Sequence, residues 1–322
     1  MNPLLSLTDV CRTFPVSDGF FSRTKTLHAL SNVSLDVSRG ETIALVGESG
    51  SGKSTVAKII ARLLDPTSGT IKLGDELIDT RRRAPLSYRR RVQLVFQDPF
   101  GSLNPIHTVA HHIARPLLRH GLATTEDVIP RVHALLEQVE LNPATFAERR
   151  PHEMSGGQRQ RVAIARALAL QPELVVADEP TSMLDVSIRI GVLDLLRSHA
   201  EDNDTAYVLI THDLGAARYF AKRIAVMYAG RIVEEGPTRS VLDGAAHPYT
   251  KLLLESLPQP DRPLGAADED DDRRAGGAPV TVDPPPGCPF VDRCDRAISA
   301  CREAMPEIRR VGAEHRVRCH VL

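Results

Sequence analysis

Residues 41–55 read ETIALVGESGSGKST. The run from Ile43 to Val46 is apolar and ends at Gly47, the pattern of a short buried strand. Gly47, Glu48, Ser49, Gly50, Ser51, Gly52, Lys53, Ser54 and Thr55 then fit G-x-x-x-x-G-K-[ST] at every position. Helical text follows, with Val56, Ile59, Ile60 and Leu63 on one face from Ser54 to Leu64. Strand, glycine-rich loop and helix in that order form a phosphate cradle: the glycines let the backbone wrap closely, and the loop N–H groups and helix N-terminus face negative charge. Lys53 is placed to reach the β- and γ-phosphates, Ser54 to ligate Mg²⁺, and Thr55 to lie near the α-phosphate. A chance glycine-rich turn would not stand in register with both a strand and a helix.

LLSLTDVCRTF (4–14) reads as a strand, and LHALSNVSLDVSRGETIALVG as two strands joined at Ser38-Arg39-Gly40. TIKLGDELI is a hairpin turning at Gly74-Asp75, and RIAVMYAGRIVEEG a second turning at Ala229-Gly230. LVVADEP (174–180) and AYVLITHD (206–213) are further buried strands. The text from Arg115 to Arg150 turns helical and more polar, clearest in RVHALLEQVEL. Strands alternating with helices predict an α/β fold: a P-loop NTPase core with a mainly parallel sheet. This alone leaves kinase, GTPase, helicase and transporter ATPase open.

Two carboxylates close LVVADEP. Asp178, at the strand's C-terminal edge, suits Mg²⁺ through its water shell; Glu179 can take a proton from, or orient, an attacking water. An Asp-Glu-Pro helix cap is the competing reading. MSGGQRQR (154–161) opens another helix, expected from Gln158 to Leu170, whose Ser155-Gly156-Gly157 N–H and hydroxyl groups make a second anion site.

At this string the sequence resembles the ABC (ATP-binding cassette) ATPases, whose signature is LSGGQ; Met154 takes the first place here. The resemblance covers roughly residues 4–255, with five motifs in the right order. It implies an antiparallel β subdomain and an α-helical signature subdomain (about 98–157) within an ATPase domain of residues 1–257. It implies that Gln97 senses Mg²⁺ and couples to a membrane partner, and that His212 contacts the γ-phosphate. Ser182-Met183-Leu184-Asp185 resembles the SALD loop, with Met for Ala. Phe14 is the expected adenine-stacking aromatic, with Phe20 and Phe21 as rivals inside a short insertion. In that family Ser155, Gly156, Gly157 and Gln158 close on ATP held by a second ATPase, so two head-to-tail subunits trap two ATP molecules.

QDPFGSLNP (97–105), HPYTKLLLESLP (247–258) and the tail CPFVDRC…C…P…H…C resemble the ATPases of peptide and nickel importers; GSLNP is more like the second of their two ATPases. The implied partners are a second ATPase subunit forming a heterodimer, two transmembrane permeases and, indirectly, an extracytoplasmic peptide-binding protein. The implied location is the cytoplasmic face of the cell membrane.

The tail is a reading of its own. Residues 258–286 are rich in Pro, Gly and Asp and predict a flexible linker. Beyond it, Cys288, Cys294, Cys301 and Cys319 are spaced C-x5-C-x6-C-x17-C, without the C-x2-C pairs of many zinc sites. Four thiolates can hold zinc or a [4Fe–4S] cluster, and the resemblance favours iron. His315 and His320 are substitute ligands. Residues 287–322 are thus expected to form a small Cys-rich metal-binding module, too poor in apolar residues to fold on core burial alone. Cys11 reads as a small buried hydrophobe.

Bulk properties narrow the classes. The 322 residues balance 40 Lys+Arg against 41 Asp+Glu, and aromatics are 4% with no Trp. Neither a basic footprint nor a stacking platform points to nucleic acid. No apolar run is long enough to cross a bilayer, and the N-terminus is not a secretory signal.

Overall fold

The computed structural model describes residues 2–17, 24–256 and 281–322. Phe20, Phe21 and most of the expected linker (258–280) lie outside the described residues.

The strands are β1 (Leu5–Val16), β2 (Lys25–Val37), β3 (Thr42–Val46), β4 (Ser68–Leu73), β5 (Glu76–Leu77) and β6 (Val92–Val95), then β7 (Leu174–Asp178), β8 (Ala206–Thr211), β9 (Arg223–Tyr228), β10 (Arg231–Pro237), β11 (Ile308–Arg310) and β12 (Arg316–Arg318). The helices are α1 (Lys53–Ile60), α2 (Leu86–Arg91), α3 (Pro99–Ser102), α4 (Val109–Arg119), α5 (Val128–Gln138) and α6 (Pro143–Phe146), then α7 (Gly156–Leu168), α8 (Val186–Asn203), α9 (Leu214–Phe220), α10 (Thr238–Asp243) and α11 (Pro248–Glu255).

Every residue of β3, β7 and β8 is buried, as strands covered on both faces must be. They lie parallel with β6 and β9 in the order β9-β3-β8-β7-β6. A separate antiparallel sheet, β2-β1-β4-β5, packs over α1 and one face of this core through Leu5, Val33, Leu45, Ile59, Val208 and Met227. The other face carries α4, α5, α7 and α8 through Ile113, Val132, Leu136, Ile164 and Leu196. Burying one such side chain contributes roughly 1.5–3 kcal/mol.

Both expected hairpins form. Gly74 (φ 62°) turns β4 into β5, and Ala229 (φ 47°) with Gly230 (φ 74°) turns β9 into β10. Three expectations need correction. Helix α1 stops at Ile60, because Arg62 adopts a left-handed φ of 55° and the Leu63 and Leu64 amides fold back onto Lys58 O; Leu63 is exposed. The signature helix runs Gly156–Leu168, two residues earlier at each end than its sequence suggests, since Ser155 caps it and Gln158 closes the capping box.

The third correction concerns the tail. The end of the expected linker is ordered against β2: His28 N–H donates to Thr281 O (2.7 Å) and Asp283 N–H to Thr26 O (2.9 Å). Residues beyond it do not stand apart as a separate module. Strand β12 pairs with β10 (Glu234 opposite Val317) and β11 pairs with β12, extending the main sheet to eight strands. Phe290 enters the main core. Glu234, fully buried, accepts from Ala246 N–H (2.7 Å) and His247 N–H (3.0 Å), and His315 Nε2 lies 2.7 Å from it. Arg316 pairs with Glu235. His315 is therefore committed to Glu234, and His320 Nε2 to Ala304 O at 3.0 Å, rather than to the cysteines. Among the described residues no helix is long and apolar enough to cross a membrane.

Candidate active site

The loop between β3 and α1 lines a cleft of about 580 Å³ with Ser49, Gly50, Gly52, Lys53, Ser54 and Thr55. Its shape requires glycine at two places. Gly47 has φ 147°, and a Cβ there would sit 2.2 Å from Met227 O; Gly52 has φ 104°, with Ala29 O 2.8 Å from the same imagined atom. Gly52 opens α1, so the loop's N–H groups and the helix N-terminus face one space.

Lys53 is buried. Its ammonium donates to Gly47 O and Glu48 O, both at 2.7 Å, and to Ser51 Oγ at 3.3 Å. Burial lowers its pKa, opposed by Glu179, Asp178 and Glu48. A dianionic or trianionic ligand arriving here meets a cation that the protein has already partly desolvated.

Ser54 Oγ donates to Asp178 Oδ1 at 3.1 Å, joining α1 to the end of β7. Burial raises the Asp178 carboxyl above the usual carboxylate range, with Glu179 pushing the same way and Ser54 opposing. Glu179, next in the chain, has a left-handed φ of 45°, a sparsely populated conformation for a non-glycine residue. Its amide donates to Ile210 O (2.9 Å), which holds the turn. Gln97 Nε2 donates to Glu179 Oε2 at 2.9 Å, and His212 Nδ1 stands 3.2 Å from Oε1. Gln97, Glu179 and His212 thus converge from the ends of β6, β7 and β8 onto the wall opposite Lys53. A carboxylate held by two neighbours beside a phosphate cradle can orient a water and accept its proton.

Phe14 is not itself in this wall. It pairs with Leu27, which is, and cross-strand partners share one face of a sheet. Arg12 lies over its ring, 4.4 Å from the centre. The signature residues Ser155 to Gln158 and Asp185 do not line the cleft either. Ser155 Oγ accepts from Gln158 N–H, and Gly157 sits so close to α8 that a Cβ would lie 2.8 Å from Ile188 Cγ2. Asp185 caps α8 without a side-chain bond and is exposed. Ser155 and Asp185 are exposed, Gly156 and Gln158 are half-buried, and Gly157 is buried against α8.

Sequence reasoning missed five contributors. Leu27, Ala29 and Thr281 complete the wall, the last from a stretch that reads as linker. The Tyr249 hydroxyl accepts from Glu48 N–H (2.8 Å), and Arg293 pairs with the Glu48 carboxylate (2.9 Å). Tyr249 stood in HPYTKLLLESLP and Arg293 in CPFVDRC, but their partner is about two hundred residues away or more, and no local pattern points to it.

Cys288, Cys294, Cys301 and Cys319 are free thiols in one neighbourhood, tied by Cys288 N–H donating to Cys301 O (2.7 Å). Burial pushes the Cys288 thiol up to about 11, with the other three thiols adding to the shift. Burial likewise raises Cys294 and Cys319. Among the described residues no three His, Cys, Asp or Glu side chains are gathered closely enough to hold a metal ion. Cys11 is half-buried rather than fully buried and exchanges hydrogen bonds with Asn32.

Comparison with known proteins agrees with this geometry. The family model for "ABC transporter" matches residues 30–182, and that for "Oligopeptide/dipeptide transporter, C-terminal region" matches 233–301. The oligopeptide transport ATP-binding protein AppF of Bacillus subtilis is 41% identical over 99% of this chain and 97% of its own. A Brucella abortus protein named for peptide import and ATP binding is 45% identical over 92% and 87%. Among solved structures, a dimeric ATP-binding cassette in a post-hydrolysis state with ADP and phosphate aligns with a TM-score of 0.64 at 33% identity, covering 73% of this chain and 99% of that one. The cbiO1 subunit of a Clostridium perfringens ABC transporter aligns with a TM-score of 0.65 at 27% identity, covering 76% and 92%.

Proposed function

The chain belongs to the ATP-binding subunits of ABC transporters, in their oligopeptide and dipeptide branch, and from that premise we propose that it hydrolyses ATP to drive peptide import. The observation that carries the chemistry is Glu179, held by Gln97 and His212 across the cleft from Lys53. Lys53 and the loop amides bind the phosphates. Ser54 and Gln97 would offer oxygen ligands to Mg²⁺ and Asp178 would hold it through its water shell, and the ion would neutralise charge on the phosphates. Glu179 takes the proton of the attacking water, and His212 touches the γ-phosphate. Phe14, on the face of Leu27, stacks on the base.

Ser155, Gly156, Gly157, Gln158 and Asp185 meet the nucleotide of a second ATPase subunit; in support, none of them lines the cradle of its own chain. We assign that subunit to a different chain, giving a heterodimer. The permease partners dock on the groove beside Gln97, where Leu63 and Phe96 are exposed apolar side chains. These partners hold the chain on the cytoplasmic face of the membrane, and an extracytoplasmic peptide-binding protein supplies them with solute. The test is peptide uptake into vesicles carrying the assembled complex. ATP-dependent uptake is expected, and its loss in the Glu179→Gln protein with nucleotide still bound. Uptake of nickel but not peptide would move the substrate assignment to the metal branch of the family.

The four tail cysteines hold a [4Fe–4S] cluster in this reading. A single zinc draws four thiolates to about 2.3 Å from one centre, whereas a cubane takes one thiolate per iron in a wider cage. Four free thiols in one neighbourhood, three of them acting on Cys288, support a shared site, and the resemblance to the peptide-importer ATPases favours iron. Anaerobic purification should give about four irons and four sulfides per chain. One zinc without iron would replace the cluster by a mononuclear site.

A further inference from the structure

We propose that Arg293 is a positioning residue for nucleotide binding, tying the cysteine-bearing tail to the phosphate loop through Glu48. The proposal rests on residues 47–55 being the nucleotide site. Arg293 Nη1 donates to Glu48 Oε2 at 2.9 Å and Nη2 donates to Oε1 at 3.0 Å, a two-pronged fork that fixes direction as well as distance. The Arg293 side chain is 10% exposed and its guanidinium lies 5.6 Å from the Phe290 ring centre and 5.8 Å from that of Tyr228. The guanidinium is therefore packed on aromatic surface, while the Glu48 carboxylate, 39% exposed, stays partly screened by solvent, so the fork contributes mainly direction.

Glu48 is held at three groups. Its carboxylate takes the Arg293 fork, its amide donates to the Tyr249 hydroxyl (2.8 Å), and its carbonyl accepts from the Lys53 ammonium (2.7 Å). A shift of the Glu48 backbone thus changes where the phosphate-binding lysine rests and how the neighbouring loop amides aim. At its other end Arg293 directly precedes Cys294, whose amide donates to Val291 O, in the turn that follows Cys288. A chain of contacts runs from the cysteines through Arg293 and Glu48 to Lys53. Coupling of this kind is reciprocal: what loosens the turn weakens nucleotide binding, and bound nucleotide stiffens the turn.

The experiment titrates Mg·ADP into the full chain by calorimetry. Arg293→Ala is expected to weaken binding about tenfold. Arg293→Lys, which keeps the charge and loses the fork, should fall between. Glu48→Gln should lose about as much as Arg293→Ala, and the double variant no more than the larger single loss. Unchanged affinity in Arg293→Ala, or losses that add in the double variant, would overturn the proposal. A second measurement needs no variant: hydrogen exchange at residues 288–294 of the wild-type chain should slow when Mg·ADP binds. Exchange there that ignores ADP, while exchange in residues 47–55 slows, overturns the link and leaves the nucleotide site standing. A wild-type chain that binds no ADP overturns both.

Discussion

Gln97 Nε2 and His212 Nδ1 grip opposite oxygens of the Glu179 carboxylate, at 2.9 and 3.2 Å. Each comes from a different strand end, so the carboxylate direction is set by the main sheet rather than by a loop. Glu179→Gln keeps the size and removes the proton acceptor. Phosphate release in the assembled complex should fall by about 10²–10³, with ATP affinity retained. Gln97→Ala leaves the acceptor but frees its direction, and a fall of roughly tenfold is expected. Equal losses in the two variants would mean that Glu179 acts by placement alone.

Asp178 gives a prediction in which activity and stability move oppositely. Burial raises its pKa, so the folded state favours the protonated form. A raised folded pKa contributes stability that is present below the unfolded value of about 3.9 and is lost as pH rises through the folded value. At neutral pH without nucleotide, the ionised carboxylate therefore weighs against folding. Asp178→Asn should raise the melting temperature of the nucleotide-free chain at neutral pH, and the gain should shrink as pH falls through the folded value and vanish below about 4. The same variant should lose Mg²⁺-dependent hydrolysis. A lower melting temperature at neutral pH would show that the Ser54 hydrogen bond outweighs the burial of charge.

The parts legible in the sequence are those whose chemistry is local. Gly47 to Thr55, the Gly74 and Ala229-Gly230 turns, and the ends of β7 and β8 each carry their signal within a few residues. The limits of α1 and α7 were misread because their ends are set by backbone folding at Arg62 and by the Ser155 capping box, which a pattern of apolar spacing does not register. The docking of the tail was illegible for a different reason. β11 and β12 have three residues each and no alternation strong enough to read, and their place depends on Glu234, about eighty residues away. The Thr281 segment looked like linker because its partner is the backbone of β2, and backbone pairing leaves little trace in side-chain composition.

Gly157 tests whether the signature serves a partner's nucleotide. A methyl group there would meet Ile188 Cγ2 at 2.8 Å, so α7 must tilt away from α8 to admit it. Gly157→Ala should leave Mg·ADP binding to the isolated chain unchanged, since the cradle lies elsewhere. Hydrolysis by the assembled complex should fall at least about tenfold, because the second anion site no longer meets the partner's nucleotide squarely. Removing the obstacle with Ile188→Ala, which deletes Cγ2, should restore part of the rate. Weakened ADP binding to the isolated chain would instead place the signature in its own chain's site.

His247 supplies the pH dependence of the tail's anchorage. It caps α11 and accepts Tyr249 N–H at ring Nδ1 (3.0 Å), while its backbone amide donates to the Glu234 carboxylate (3.0 Å). Burial depresses its pKa to about 4, so the folded chain holds it neutral and needs its lone pair as an acceptor. A depressed folded pKa contributes stability that is present above the unfolded value of about 6.5 and is lost as pH falls toward about 4. The loss across that window is on the order of 3 kcal/mol. Asn at this position keeps an acceptor for the helix and cannot take a proton. The His247→Asn chain should melt less steeply with falling pH than wild type between about pH 6.5 and 4. Parallel curves would mean that protonation of His247 is compensated within the fold. A difference should carry through to nucleotide binding at pH 5, because Tyr249, next but one to His247, holds the Glu48 amide of the phosphate loop.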